Sequence, residues 1–113
     1  MTVLIKGKEY EFSFDSIWGP LYTYEVMAGK SMPFDPGSTL CLHIMYYCIL
    51  YRANQDFTLS FDDYMESLNN IDLVRDMNKY YVDRMEVLTA EANEDEKKRR
   101  KGFVRRREKI DSP

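Results

Sequence analysis

Residues 39–54 read TLCLHIMYYCILYRAN, and the fold turns on what this stretch becomes. From Leu40 to Tyr51 all twelve residues are apolar except His43. A membrane span needs about 20 such residues, so this is a core segment. It is also longer than an ordinary strand, and only Ile44 and Ile49 in the run are β-branched. The stretch therefore predicts a helix, apolar nearly all round, of the kind that lies at the centre of a small domain. Ser38 or Thr39 supplies its N-terminal cap.

After it, Asn54-Gln55-Asp56-Phe57-Thr58 reads as a loop. Ser60 then opens a short helix, with Asp63 three positions on in a near capping box, and Phe61, Tyr64, Met65 and Leu68 form its inner face. Asn69-Asn70 breaks the chain again, and Asp72 is positioned to cap a longer helix. Val74, Met77, Tyr81, Met85 and Leu88 follow 3-4-4-3 spacing along that helix, widened by Leu73 and Tyr80. Past Leu88 the stripe fades through TAEANEDEKKRR (residues 89–100), whose good helix formers let the helix project with no core beneath it.

Before it, the first fourteen residues alternate as a β-hairpin: Val3 and Ile5 on one arm, Tyr10, Phe12 and Phe14 on the other, with Gly7 in the two-residue turn. A lone hairpin is barely stable, so its aromatic face must pack on helices. Pro20 best fits a first helical position and Gly29 a stop, which brackets a short helix through Leu21, Tyr24 and Ala28. The segment KSMPFDPGST (residues 30–39), with two prolines and a glycine, is a surface loop. The whole predicts ββαααα, an α+β, mainly α domain: an N-terminal β-hairpin packed on about four helices. Residues 1–92 form the globular part and 93–113 a charged tail.

Charge divides at the same place. Residues 1–96 hold seven Lys/Arg against seventeen Asp/Glu, a formal −10, whereas residues 97–113 hold nine against two, or +7. A chain of 113 residues is one domain with a modest core, so self-association would help its stability. With only a three-residue apolar run before Lys6, the opening residues are not expected to be a secretory signal. Cys41 and Cys48 lie two helical turns apart, roughly 10 Å, too far to bridge. Reduced thiols and a cytoplasmic protein are expected.

Catalytic chemistry finds little to use. The one histidine, His43, sits in the most apolar run and reads as a hydrogen-bonded core residue rather than as the base of a nucleophilic device. Cys41, His43 and Cys48 on one helix point in different directions and make no metal site. Asp62, Asp63 and Glu66 are acids that the helix dipole stabilises. Ala28-Gly29-Lys30-Ser31 lacks the first glycine and the preceding strand of a phosphate loop. Neither an enzyme nor a cofactor is expected.

The order of parts resembles the small tail assembly chaperones of long-tailed bacteriophages. IKGKEYEFSF (residues 5–14) resembles their opening strand pair, and YEVMAGKSM (24–32) their first helix closing on a Gly-Lys step. LCLHIMYYCILYRAN, SFDDYMESLNN and LVRDMNKYYVDRMEVL continue the likeness, so that it covers residues 2–90. Such proteins have no active site. They self-associate and coat the long, helical tape-measure protein until tail-tube subunits replace them, in the host cytoplasm.

A chaperone of this kind needs an exposed apolar surface that accepts many helical registers, a task suited to methionine and aromatic side chains. Trp18, Tyr22 and Met27 near the first helix, and Met77, Tyr81 and Met85 on the last, are the candidates; the competing reading places them in the core. The basic residues Lys97, Lys98, Arg99, Arg100, Lys101, Arg105, Arg106, Arg107 and Lys109 are candidates for a charge-mediated contact. From another class comes a small nucleic-acid-associated regulator that uses them on phosphates. The acidic domain opposes that reading, and Phe103 is the only aromatic in the tail. A minor head–tail adaptor of the virion is a third reading.

Overall fold

The computed structural model describes the backbone of residues 1–111 and the side chains of residues 1–98. In chain order come β1 (Thr2–Ile5), β2 (Lys8–Glu11), α1 (Trp18–Ala28), α2 (Thr39–Ala53), α3 (Phe61–Ser67) and α4 (Ile71–Asp111). This is the expected α+β, mainly α fold. β1 and β2 pair antiparallel, with Val3 opposite Tyr10 and Ile5 opposite Lys8.

The hairpin turn is Lys6-Gly7, with φ of 50° and 77°. Two successive positive φ values make the turn whose twist suits an antiparallel pair, and glycine adopts the second without strain. Lys6 adopts the first, and its ammonium reaches Asp63 at 2.9 Å and Glu66 at 2.8 Å on α3. Period-two alternation buries Val3, Ile5, Tyr10 and Phe12 on one face of the pair.

α2 is the axis of the core, burying Cys41, His43, Met45, Tyr46, Cys48, Ile49 and Leu50. Ser38 caps it by accepting from the Cys41 N–H, and Ser60 caps α3 through the Asp63 N–H. The cap of α4 differs from expectation. Asn70, not Asp72, accepts from the Leu73 N–H at 3.3 Å, which leaves Asp72 in the first turn, paired with Arg75. α1 also begins earlier than Pro20 suggested. Ser16 Oγ accepts from the Gly19 N–H at 3.1 Å, and Pro20 falls in the first turn, where a missing N–H still costs nothing.

Aromatic rings carry the packing. Phe12 meets Tyr46 and Tyr80 edge to face, each with centroids 5.5 Å apart, and Tyr46 meets Tyr81 at 5.1 Å. On the other side of α2, Tyr47 contacts Phe57, Phe61 and Tyr64. Such pairs add about 0.5–1.5 kcal/mol each beyond the area they bury. The phenols find acceptors: Tyr46 donates to Asn78 Oδ1 and Tyr47 to the Leu59 carbonyl. Among the described residues no buried side-chain nitrogen or oxygen lacks a partner. Leu88 is the last buried residue among the described side chains of α4, and from Thr89 to Lys98 every side chain is exposed. No described helix is long and apolar enough to cross a membrane.

Candidate partner-binding surface

α1 is apolar on every side, and only part of it meets the core. Pro20, Thr23 and Tyr24 are buried against α2, with Leu21 and Ala28 partly so. Trp18, Tyr22 and Val26 stand one helical turn apart on the opposite side, 80%, 68% and 67% exposed. Met27 is also exposed, although its sulfur accepts from the Cys48 thiol at 3.6 Å. The rows i, i+4 and i+8 therefore present an indole, a phenol and a branched aliphatic group in line, with Glu25 the one charge on the same turns.

The six candidate residues divide into three environments. Trp18, Tyr22 and Met27 are the exposed ones, although Met27 lies off the Trp18–Tyr22–Val26 line, against Cys48 of α2. Tyr81 and Met85 are half-buried and line a narrow apolar crevice of about 70 Å³ with Phe14, Leu21, Phe34 and Met45. Met77 is fully buried, so its place on a partner-binding surface is corrected: it is a core residue. Its 3-4 spacing with Val74 and Tyr81 gives its face of α4 but not its depth. Val26 completes the exposed line, at the same four-residue interval from Tyr22 that separates Tyr22 from Trp18. Leu40 and Tyr51, the two ends of the apolar run of α2, are exposed rather than core.

Lys97 and Lys98 are exposed. Arg99, Arg100, Lys101, Arg105, Arg106, Arg107 and Lys109 lie outside the described side chains.

Burial sets the direction for most titratable groups of the core, whereas Cys41 is lowered by its hydrogen bonds, that with Tyr24 first. His43 is buried and hydrogen-bonded through Nδ1 to the Tyr64 hydroxyl at 3.1 Å. Desolvation lowers its pKa, which keeps it neutral near pH 7. Burial pushes the Cys48 thiol up to about 11. Burial, and then the bond to Cys41, pushes the Tyr24 phenol up to about 12. That phenol donates to the Met32 carbonyl at 3.0 Å and holds the 30–38 loop against the Cys41 sulfur. Among the described residues, no group of three or more His, Cys, Asp or Glu could hold a metal ion.

Compared with protein-family models, curated proteins and solved structures, the chain matches none.

Proposed function

We propose that this chain is a non-enzymatic, self-associating chaperone for phage tail assembly, which binds and solubilises the tape-measure protein in the host cytoplasm before the tail tube polymerises. The observation that carries this reading is the line Trp18, Tyr22, Val26 on α1, left in solvent by a helix whose other side is core. A helical partner with its own apolar stripe would lie along that line, as amphipathic helices lie in apolar grooves. The small area of the line suits an interaction that later subunits must displace. The sequence resemblance over residues 2–90 supplies the identity of the partner.

The test is co-expression of the full chain with a long helical tape-measure protein, followed by light scattering. A soluble complex holding many copies of this chain is expected, and the Trp18→Ser/Tyr22→Ser double variant should lose it. Both positions are exposed, so the variant should keep its circular dichroism and its stability within about 0.5 kcal/mol per site. No complex with the unaltered chain, or one indifferent to the double variant, would overturn the reading. So would a chain that binds only DNA or RNA, and only at low salt.

A further inference from the structure

Seven Lys and Arg side chains belong to residues 1–96, among seventeen acids. Lys6 and Arg75 are taken up in ion pairs, and Lys8 lies over the Tyr10 ring at 5.4 Å. Arg52 and Arg84 behave differently. They line one crevice of about 470 Å³ together with Ser13, Asp15, Ser16 and Tyr80. Among the described residues neither forms an ion pair. Each is instead held by a single neutral acceptor. Arg52 Nη1 donates to Thr23 Oγ1 at 3.1 Å, and Arg84 Nε donates to the Phe14 carbonyl at 2.9 Å. A guanidinium has five N–H donors, so most of each fork is left over.

The backbone has made room for one of these groups. A Cβ on Gly19 would stand 2.6 Å from Arg52 Nη2 and 2.9 Å from its Cζ. The guanidinium occupies the space that any other residue in the first turn of α1 would fill. Three stretches of chain thus converge on the crevice: residues 13–20, the end of α2 and the first half of α4.

We infer that this crevice is a binding site for a single carboxylate presented by an aspartate or glutamate of a bound polypeptide. Two planar donor forks flanked by two serine hydroxyls match a carboxylate, which accepts paired N–H bonds. Charge selects the monoanion. Two guanidinium groups and the Asp15 carboxylate sum to +1 at the crevice. A phosphate dianion would overshoot that charge inside a domain already at −10. The inference concerns a crevice beside the α1 stripe and does not depend on which protein the stripe binds.

The experiment titrates the 15N-labelled full chain with N-acetyl-glutamic acid amide at constant ionic strength, following the arginine Nε–Hε resonances and the Gly19 amide. Arg52, Arg84 and Gly19 are expected to shift together on one saturating curve, with a Kd on the order of millimolar. Arg75, already ion-paired, should not follow. Arg52→Gln should weaken binding about tenfold or more, while α2 amide shifts report an intact fold. Arg84→Lys, which keeps the charge but loses the fork, should weaken it too. Shifts that stay linear, or that sodium chloride reproduces, would overturn the site, as would a curve unchanged in both variants. Tighter binding of inorganic phosphate would overturn the assignment to a carboxylate.

Discussion

Asn54 bonds to both backbone polar groups of Glu11. The Glu11 N–H donates to Asn54 Oδ1 at 3.0 Å, and Asn54 Nδ2 donates to the Glu11 carbonyl at 2.9 Å. A primary amide thereby stands where a third strand would pair with the outer edge of β2. The same Nδ2 donates to the Leu50 carbonyl at 2.8 Å and so closes the end of α2. One side chain joins the hairpin to the central helix. Asn54→Ala removes three hydrogen bonds, but Glu11 lies at a solvated edge where water replaces part of them, so a loss of about 1–2 kcal/mol is expected. Asn54→Asp keeps the acceptor and forfeits both donations, so its urea midpoint should fall at least as far. Denaturation of the two variants measures this directly.

Met77 and Trp18 are both large apolar residues on helices, and their substitutions should diverge. Met77 is fully buried, so Met77→Ala leaves a cavity and should cost about 2–5 kcal/mol. Trp18 is 80% exposed, and Trp18→Ala should stay within about 0.5 kcal/mol. Paired urea titrations decide the matter. Similar losses at the two positions would mean that Trp18 is covered in solution.

The sign of the pH dependence follows from His43. Its pKa in the fold lies below the ordinary 6.5, so the unfolded chain binds the proton more readily. Stability from this residue is therefore complete above pH ~6.5 and declines as pH falls below that value. Asp63 is shifted down from its usual 3.8 by Lys6, so its contribution declines only in a lower window, beneath about pH 4. Thermal melts of the unaltered chain should slope upward from pH 5 to 7. His43→Gln, whatever its overall stability, should flatten that slope and leave the lower window intact.

Gly19→Ala offers a third comparison. Alanine gains about 1 kcal/mol of helix propensity over glycine, and the atom it would strike is the far end of the flexible Arg52 side chain. Displacing that guanidinium forfeits its bond to Thr23, about 1 kcal/mol. The two effects nearly cancel, so stability should change by less than about 1 kcal/mol. Capped glutamate, in contrast, should bind more weakly.

Much of this fold is legible in the sequence because local rules agree with one another. The run Leu40 to Tyr51, the caps Ser38 and Ser60 and the alternation around Gly7 each specify an element with little help from elsewhere. Depth is less legible. The α4 stripe reveals a face, yet Met77 vanishes into the core while Met85, two turns on, lines a crevice, because the depth depends on which distant segments lie opposite each position, here Phe14, Leu21, Phe34 and Met45 around Met85. Asn70 and Asp72 are both competent caps, and the choice rests on where the turn after α3 ends. The Arg52–Arg84 crevice joins residues from three distant segments, and no spacing in the chain announces it.

Since α1 carries large apolar side chains all the way round and a single charge, Glu25, the burial of apolar area alone does little to fix its roll angle about its own axis. Turning the helix would exchange one set of oily side chains for another at little cost in covered area. What distinguishes the observed angle is polar, beginning with Glu25, whose charge it leaves in solvent. Tyr24 reaches the Met32 carbonyl and the Cys41 sulfur, and Thr23 accepts from Arg52. These few directional bonds hold the azimuth that a symmetric hydrophobic surface leaves degenerate. The outward aim of the indole is thus set by a phenol and a threonine hydroxyl on the far side of the same helix.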